Sequence, residues 1–284
     1  MSDFSPEWLR LRESADHRSR NASLMNDVAS LLRGKEIARI VDLGSGLGSN
    51  LRALSPLLPC DQDWRLVDVD AALLTAAQGE LCRWGDELVA GDKLVIRKGV
   101  RRIVARLEPL DLLHEIERIF DGEPHLITAA ALFDLVSPEW ITRLAEAVVR
   151  RRIAFYTALT YNGLDYGQPA HPLDAAIFGA LHVHQHRDKG FGPAAGPDAV
   201  ATLTNAFTAR GYRVRVAPSP WTLNDADAAM LTMLGKGVIA AVAETGLVSS
   251  DDIERWRSFH MPDGVWRGVT WTVGHADVLA APPP

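Results

Sequence analysis

The sequence predicts an α/β fold: a mostly parallel sheet with helices on both faces. Three observations predict it. Short runs of apolar and β-branched residues recur along the chain, at Ile37–Val41, Trp64–Val69, 125–129 and Ile153–Leu159. Segments of helical periodicity fill the intervals, and strands that alternate with helices pair in parallel. The first of these strands runs into a glycine-rich turn that opens a helix, Asp42-Leu43-Gly44-Ser45-Gly46-Leu47-Gly48.

In order, residues 5–33 read as one or two helices. Ser5-Pro6-Glu7 supplies a cap, a first-turn proline and an acid, and Gly34 a stop. Residues 1–35 are therefore expected to be an N-terminal helical cap, with the main domain over 36–284. Strand 37–41, helix 47–58, strand 64–69 and helix 71–84 follow, the last with Leu73, Leu74, Ala77 and Leu81 on one face. Residues 94–107 are β-rich, and 112–120 read as helical. Strand 125–129, a helix over 138–151 opened by Ser137-Pro138-Glu139, and strand 153–159 complete the first run. Residues 160–197, rich in Gly, Pro, His and Asp, break the rhythm and read as an insertion with one helix near 173–184; long excursions of this kind are usually functional. Helix 198–210, strand 212–217, helices near 224–245 and 251–259, and a final strand over 266–273 close the pattern.

The bulk numbers limit the partners. With 47% hydrophobic and 23% charged residues in 284, the chain buries a full core and is not disordered. A net charge of −6 argues against nucleic acid. The basic runs at Arg97-Lys98, Arg101-Arg102 and Arg150-Arg151-Arg152 read as solvated element ends. Cys60 and Cys82 make no disulfide framework. The N-terminus is polar, and no apolar run reaches the ~18 residues of a membrane span, so a cytoplasmic protein with no membrane partner is expected.

The glycine turn carries the chemistry. Glycines there let the chain turn sharply and let a ligand approach, at the carboxyl end of a strand where open α/β sheets bind ligands. Asp68 ends the next strand, twenty residues beyond Gly48, where a carboxylate accepts from ribose hydroxyls. The dinucleotide pattern Gly-x-Gly-x-x-Gly is not met: the third glycine comes one residue early and Ser49 follows. Asp42 sits two positions before the first glycine. A pyrophosphate there would meet like charge, at about 4 kcal/mol for ~4 Å and an effective dielectric of 20. S-adenosylmethionine, with its sulfonium and ammonium, suits an acid.

Here the sequence resembles the class I S-adenosylmethionine-dependent methyltransferases. "VDLGSGLGSN" looks like that family's first motif, "RLVDVDAALL" is similar to its second, and "HLITAAALFDLVS" looks like its fourth. The resemblance covers roughly residues 36–160 and extends more weakly beyond. It implies a three-layer Rossmann-like methyltransferase fold, a seven-stranded sheet with the last strand antiparallel, and S-adenosylmethionine as cofactor. It also implies roles. Asp42, Gly44, Ser45, Gly46 and Gly48 lie under the methionine portion, and Asp68 with Val69 lies at the ribose. Asp111 and Leu112 lie near the adenine, and Ala129 and Ala130 on the pocket floor.

Weaker constellations stand beside the motif. His182, His184 and His186 with Asp188 form the densest polar cluster, within "HVHQHRDKGFGPAAGP". A metal site is one reading, although on a helix only His182 and His186 share a face, and no metal is expected. Substrate recognition or general-base work is the reading taken for His184, His186 and Asp188, against solvated surface histidines. Tyr161-Asn162, after the fifth strand, lies at the cofactor rim, and Tyr161 is taken as a substrate contact; a tyrosine capping the core is the alternative. Asp174 and His171 are weaker members of that set. Arg20, with Arg18 and Asn21 in the cap, is a candidate clamp for the cofactor's carboxylate, against a solvated helix face. Asp134 reads either as a site residue or as a helix N-terminal acid. Trp221 reads as pocket wall or packing.

The function expected is methyl transfer from S-adenosylmethionine to a small-molecule acceptor. Alternatives are a non-catalytic S-adenosylmethionine-binding module and, disfavoured by the glycine spacing, an NAD-dependent oxidoreductase. Aminopropyl transfer on the same fold would want acidic residues for a polyamine, and the insertion is not markedly acidic. The acceptor atom and the oligomeric state are not legible.

Overall fold

A computed structural model describes residues 5–89 and 93–283. The first four residues of the expected cap and Pro284 lie outside these.

The cap is two helices, α1 (Pro6–Ser19) and α2 (Ala22–Leu31), each opened by a side chain that accepts a backbone N–H, Ser5 from Trp8 and Asn21 from Leu24. The sheet then builds in alternation. β1 (Ile37–Leu43), α3 (Ser49–Leu54), β2 (Asp61–Asp68) and α4 (Ala71–Trp84) come first. β3 (Glu87–Val89), β4 (Leu94–Lys98) and β5 (Arg101–Pro109) form a run of strands. Then come β6 (Leu126–Ala130), α5 (Pro138–Arg150), β7 (Ala154–Gln168) and α6 (Asp174–Gln185). α7 (Ala199–Thr208), β8 (Arg213–Pro218), β9 (Trp221–Leu223), α8 (Ala228–Thr245), α9 (Ser250–His260) and β10 (Thr270–Ala281) finish the chain.

The strand order is β3-β4-β5-β2-β1-β6-β7-β10-β8, with β9 on β10. β5, β2, β1, β6 and β7 run parallel, and β10 enters antiparallel between β7 and β8. This is the seven-stranded sheet expected, widened by the antiparallel β3–β4 hairpin at one edge and by β9.

Period-two alternation divides the core into two layers. Ala38 and Ile40 of β1 join one buried cluster with Leu24, Leu51, Phe178 and Leu231 from the helices of that face. Val41 and Leu43 join the other, with Trp140 and Leu144 of α5 and Leu203 and Phe207 of α7.

Several local expectations differ, and the final strand, expected over 266–273, is Thr270–Ala281. Residues 112–120 hold only a short 3-10 turn, Ile116–Phe120. The fifth strand does not stop at residue 159 but runs to Gln168, because β10 offers it a ladder as far as Thr270; residues 160–168 therefore belong to the sheet and not to an insertion. One helical segment, 225–245, is apolar and long enough to cross a membrane by length and composition, where the sequence reading found none.

That β7–β10 ladder breaks twice. Asn162 to Leu164 face the single Gly274, and Ala158 and Leu159 face Asp277. Such bulges re-aim side chains. Leu159 adopts φ +56°, and Asp277 holds it there by accepting its N–H at 3.0 Å.

Candidate active site

Two adjoining cavities open beside the carboxyl ends of the parallel strands, and Arg12, Ala131 and Leu135 line both.

The first, about 380 Å³, is built around the glycine turn. Gly44 and Gly46 have φ of +59° and +51°, which side chains resist. A Cβ on Gly44 would come within 3.1 Å of Leu132, and one on Gly46 within 3.3 Å of Leu9 in the cap. Asp68 ties the turn to the end of β2, accepting from Gly46 N at 2.9 Å and Asp70 N at 3.0 Å.

At the cavity's other end lies a relay from cap to sheet. Arg20 donates to Asn50 Oδ1 at 2.7 Å, and Asn50 Nδ2 donates to Asp42 Oδ1 at 2.6 Å and to Thr128 Oγ1 at 3.1 Å. Burial pushes the Asp42 carboxyl up to about 7, against the Asn50 hydrogen bond and the Arg20 charge, which favour its ionised form. Arg20 Nε, Asp42 Oδ2 and Ser45 Oγ are buried there without a partner among the described residues. Buried polar atoms are normally paired. A ligand carrying an ammonium and a carboxylate would pair the first two, so the donor set fits the amino-acid end of S-adenosylmethionine. Val69 leaves 73% of its surface uncovered at the wall beside Leu110 to His114, an apolar slot of the kind a flat base covers. Asp111 lies on that wall, accepting from Leu113 N and pairing with His114 at 2.8 Å. Leu112 also lines it. Ala130 reaches the cavity, but Ala129 does not: it is fully buried in the opposite layer, because alternation along β6 sends 128 and 130 to one face and 129 to the other.

The second cavity, about 460 Å³, is mostly apolar and aromatic. Trp8 of the cap, Trp221 of β9 and Trp271 of β10 form much of its wall. Arg12 stacks over Trp221 at 4.9 Å and is paired with Asp16 at 2.9 Å. Asp16 in turn accepts Trp221 Nε1 at 3.0 Å, which locks the cap to β9. Tyr161 lies in the cavity, donating to Asp165 and standing 3.0 Å from His182 Nε2. Burial lowers the His275 pKa to about 3, so this imidazole is neutral at physiological pH. Burial raises the Asp134 carboxyl to about 6. Asp134 Oδ1, Gln185 Oε1, Trp271 Nε1 and His275 Nδ1 are buried and unpartnered among the described residues. Ala131 and Leu159, both with left-handed backbone, line this cavity; such conformations collect at functional sites.

The histidine cluster is split by the helix that carries it. Only His182 turns toward Tyr161. His184 pairs with Glu244 at 3.1 Å, and His186 turns to Ala194 O at 3.1 Å. Asp188 accepts from Gly190 N at 2.7 Å and Gly192 N at 3.0 Å, shaping a loop whose Lys189, Gly190 and Phe191 line the first cavity. None of His184, His186 and Asp188 lines either cavity. Among the described residues no three His, Cys, Asp or Glu side chains converge as a metal site would need. Asp174 accepts Trp256 Nε1 at 2.8 Å and His171 N at 2.8 Å, a packing role.

Sequence reasoning missed Arg12, Asn50, Asp165, Trp271 and His275. Asn50 alone carried a signal, as the last residue of the first motif.

No protein-family model matches the chain, and no curated protein matches it in sequence. Solved structures do resemble it. A protein of Bacillus halodurans described as a methyltransferase aligns at TM-score 0.50 and 11% identity, over 92% of this chain and 100% of that one. A cyclopropane-fatty-acyl-phospholipid synthase-like protein from Lactobacillus casei aligns at TM-score 0.50 and 12% identity, over 95% and 98%. A cyclopropane synthase from Mycobacterium tuberculosis aligns at TM-score 0.50 and 11% identity, over 98% and 95%. With this strand order and this glycine turn at the carboxyl end of β1, the chain has the Rossmann-like fold of the class I methyltransferases.

Proposed function

We propose that the protein is an S-adenosylmethionine-dependent methyltransferase acting on a small-molecule acceptor. The observation that carries this reading is the guanidinium and the carboxyl group set side by side at one end of the first cavity. Arg20 Nε and Asp42 Oδ2, joined through Asn50, are both short of a partner. A carboxylate on the arginine and an ammonium on the aspartate complete both. A pyrophosphate would leave Asp42 opposed to a like charge.

In this reading Asp68 holds the ribose hydroxyls while its bonds to Gly46 N and Asp70 N keep it in place. Val69 and the wall from Leu110 to Leu113 cover the adenine. The bound cofactor supplies an electrophilic methyl group on a sulfonium. Ala131 and Leu135, common to both cavities, stand where donor and acceptor meet, and the chain's contribution there is to align them and exclude water.

Calorimetric titration with S-adenosylmethionine, S-adenosylhomocysteine and NADH tests the reading. Saturable binding of the first two, lost in Asp68→Ala, is expected. Tighter binding of NADH, or none of the first two, would overturn it.

A further inference from the structure

Resting on this methyl-transfer reading, we propose that the second cavity takes an uncharged aromatic acceptor with a protic O–H or N–H at the atom methylated, and that Asp134 takes up its proton. Asp134 lines the second cavity, in the same turn as Ala131 and Leu135, which line both cavities.

The unpartnered atoms describe the ligand. Asp134 Oδ1 and Gln185 Oε1 accept, and Trp271 Nε1 donates. A ligand that pairs them must both donate and accept. An ammonium only donates and leaves the indole N–H unpaired. A carboxylate only accepts, and among the described residues lining the cavity it meets Asp134 and Asp165 with no cation free to receive it, since Arg12 is held by Asp16. The three tryptophans of the wall favour a flat apolar body.

The step balances without a further reactant. The acceptor's lone pair forms the bond to the methyl carbon. The carbon–sulfur bond breaks with its electrons on sulfur, converting sulfonium to thioether. The acceptor's proton passes to Asp134 Oδ1 and on to water. The cavity that Asp134 lines also holds Arg12 from α1, Asp165 and Tyr161 from β7, Gln185 from α6 and His275 from β10, and His182 of α6 meets it through Tyr161. With His275 neutral, Arg12 is the cation whose field favours the Asp134 carboxylate.

The test uses 7-hydroxycoumarin, which is flat, has one phenol and one carbonyl, and is uncharged at mildly acidic pH. Its 3-carboxylate is the anionic counterpart, and binding is read by quenching of the cavity tryptophans. The uncharged probe is expected to bind at least about tenfold more tightly. Asp134→Asn keeps an accepting oxygen but cannot hold the proton. It is expected to bind the coumarin and S-adenosylmethionine as wild type does, yet to form 7-methoxycoumarin about a hundredfold more slowly. The wild-type rate is expected to rise with pH through about 6, and the variant's not to. Equal or tighter binding of the carboxylate, or a wild-type rate in Asp134→Asn, would overturn the proposal. S-adenosylmethionine binding without coumarin binding overturns the acceptor proposal alone; failure of S-adenosylmethionine to bind overturns the reading beneath it.

Discussion

Asn50 donates its side-chain amide to the fully buried Asp42 at 2.6 Å, and its oxygen accepts Arg20 at 2.7 Å. One amide thus orients an acid from the sheet and a base from the cap toward the same cavity. Asn50→Ala removes both contacts. A hydrogen bond to a charged group contributes about 1.5–3 kcal/mol, so the dissociation constant for S-adenosylmethionine is expected to rise by roughly 10- to 100-fold in calorimetry. An unchanged constant would show that the relay does not serve the cofactor.

Asp42 makes the ligand-free protein sensitive to pH. Its carboxyl keeps its proton to about 7 in the fold but loses it near its ordinary 3.8 when unfolded. Between these values the folded state binds more protons, so this group's contribution to stability falls as pH rises and is flat above about 7. Asp42→Asn is expected to flatten that slope and to melt higher than wild type, without ligand, at alkaline pH. A cationic ligand favours the carboxylate, so wild-type affinity for S-adenosylmethionine is expected to climb across neutral pH while the variant's stays low. Thermal unfolding and titration at several pH values read both.

Asp68 holds two backbone N–H groups in one stroke. Asp68→Ala leaves Gly46 N and Asp70 N unpaired and removes the acceptor for the ribose. S-adenosylmethionine binding is expected to weaken more than about tenfold, with the far-ultraviolet circular dichroism of wild type retained. Full binding in this variant would move the ribose site elsewhere.

Gly274 is the crossing point of β7 and β10. A Cβ there would lie 2.6 Å from Leu164 O. Gly274→Ala is expected to cost about 1–3 kcal/mol and to lower the melting temperature by several degrees. It should also weaken coumarin binding, since the neighbouring residue, His275, faces the second cavity. A wild-type melting curve would count against the bulge as a tight fit.

The first cavity was legible because its parts are consecutive. Asp42 to Gly48 is one turn and Asp68 the end of the next strand, so local spacing stated the geometry. The second was not, because Arg12, Asp134, Tyr161, Trp221 and His275 meet only through the sheet order. His275 reaches the cavity through a ladder break that no periodicity announces. The histidine cluster misled for the converse reason. Neighbours in sequence on a helix point apart, and His182 and His184 face different partners. The stop placed at residue 159 failed because a strand's length is set by its neighbour, and that neighbour, β10, lies more than a hundred residues on.

Helix α1 contributes Leu9 and Asp16 to the first cavity, Trp8 to the second and Arg12 to both, and Arg20, the residue after its last turn, adds to the first. A single segment touched by two ligands makes their affinities interdependent. Thermodynamic reciprocity then requires that the factor by which methyl donor tightens acceptor equal the factor by which acceptor tightens donor. Titrating each ligand with and without the other measures that factor twice. A value of one in both directions would mean that the helix serves two independent tenants, and a value above one that the order of their arrival is written into the cap.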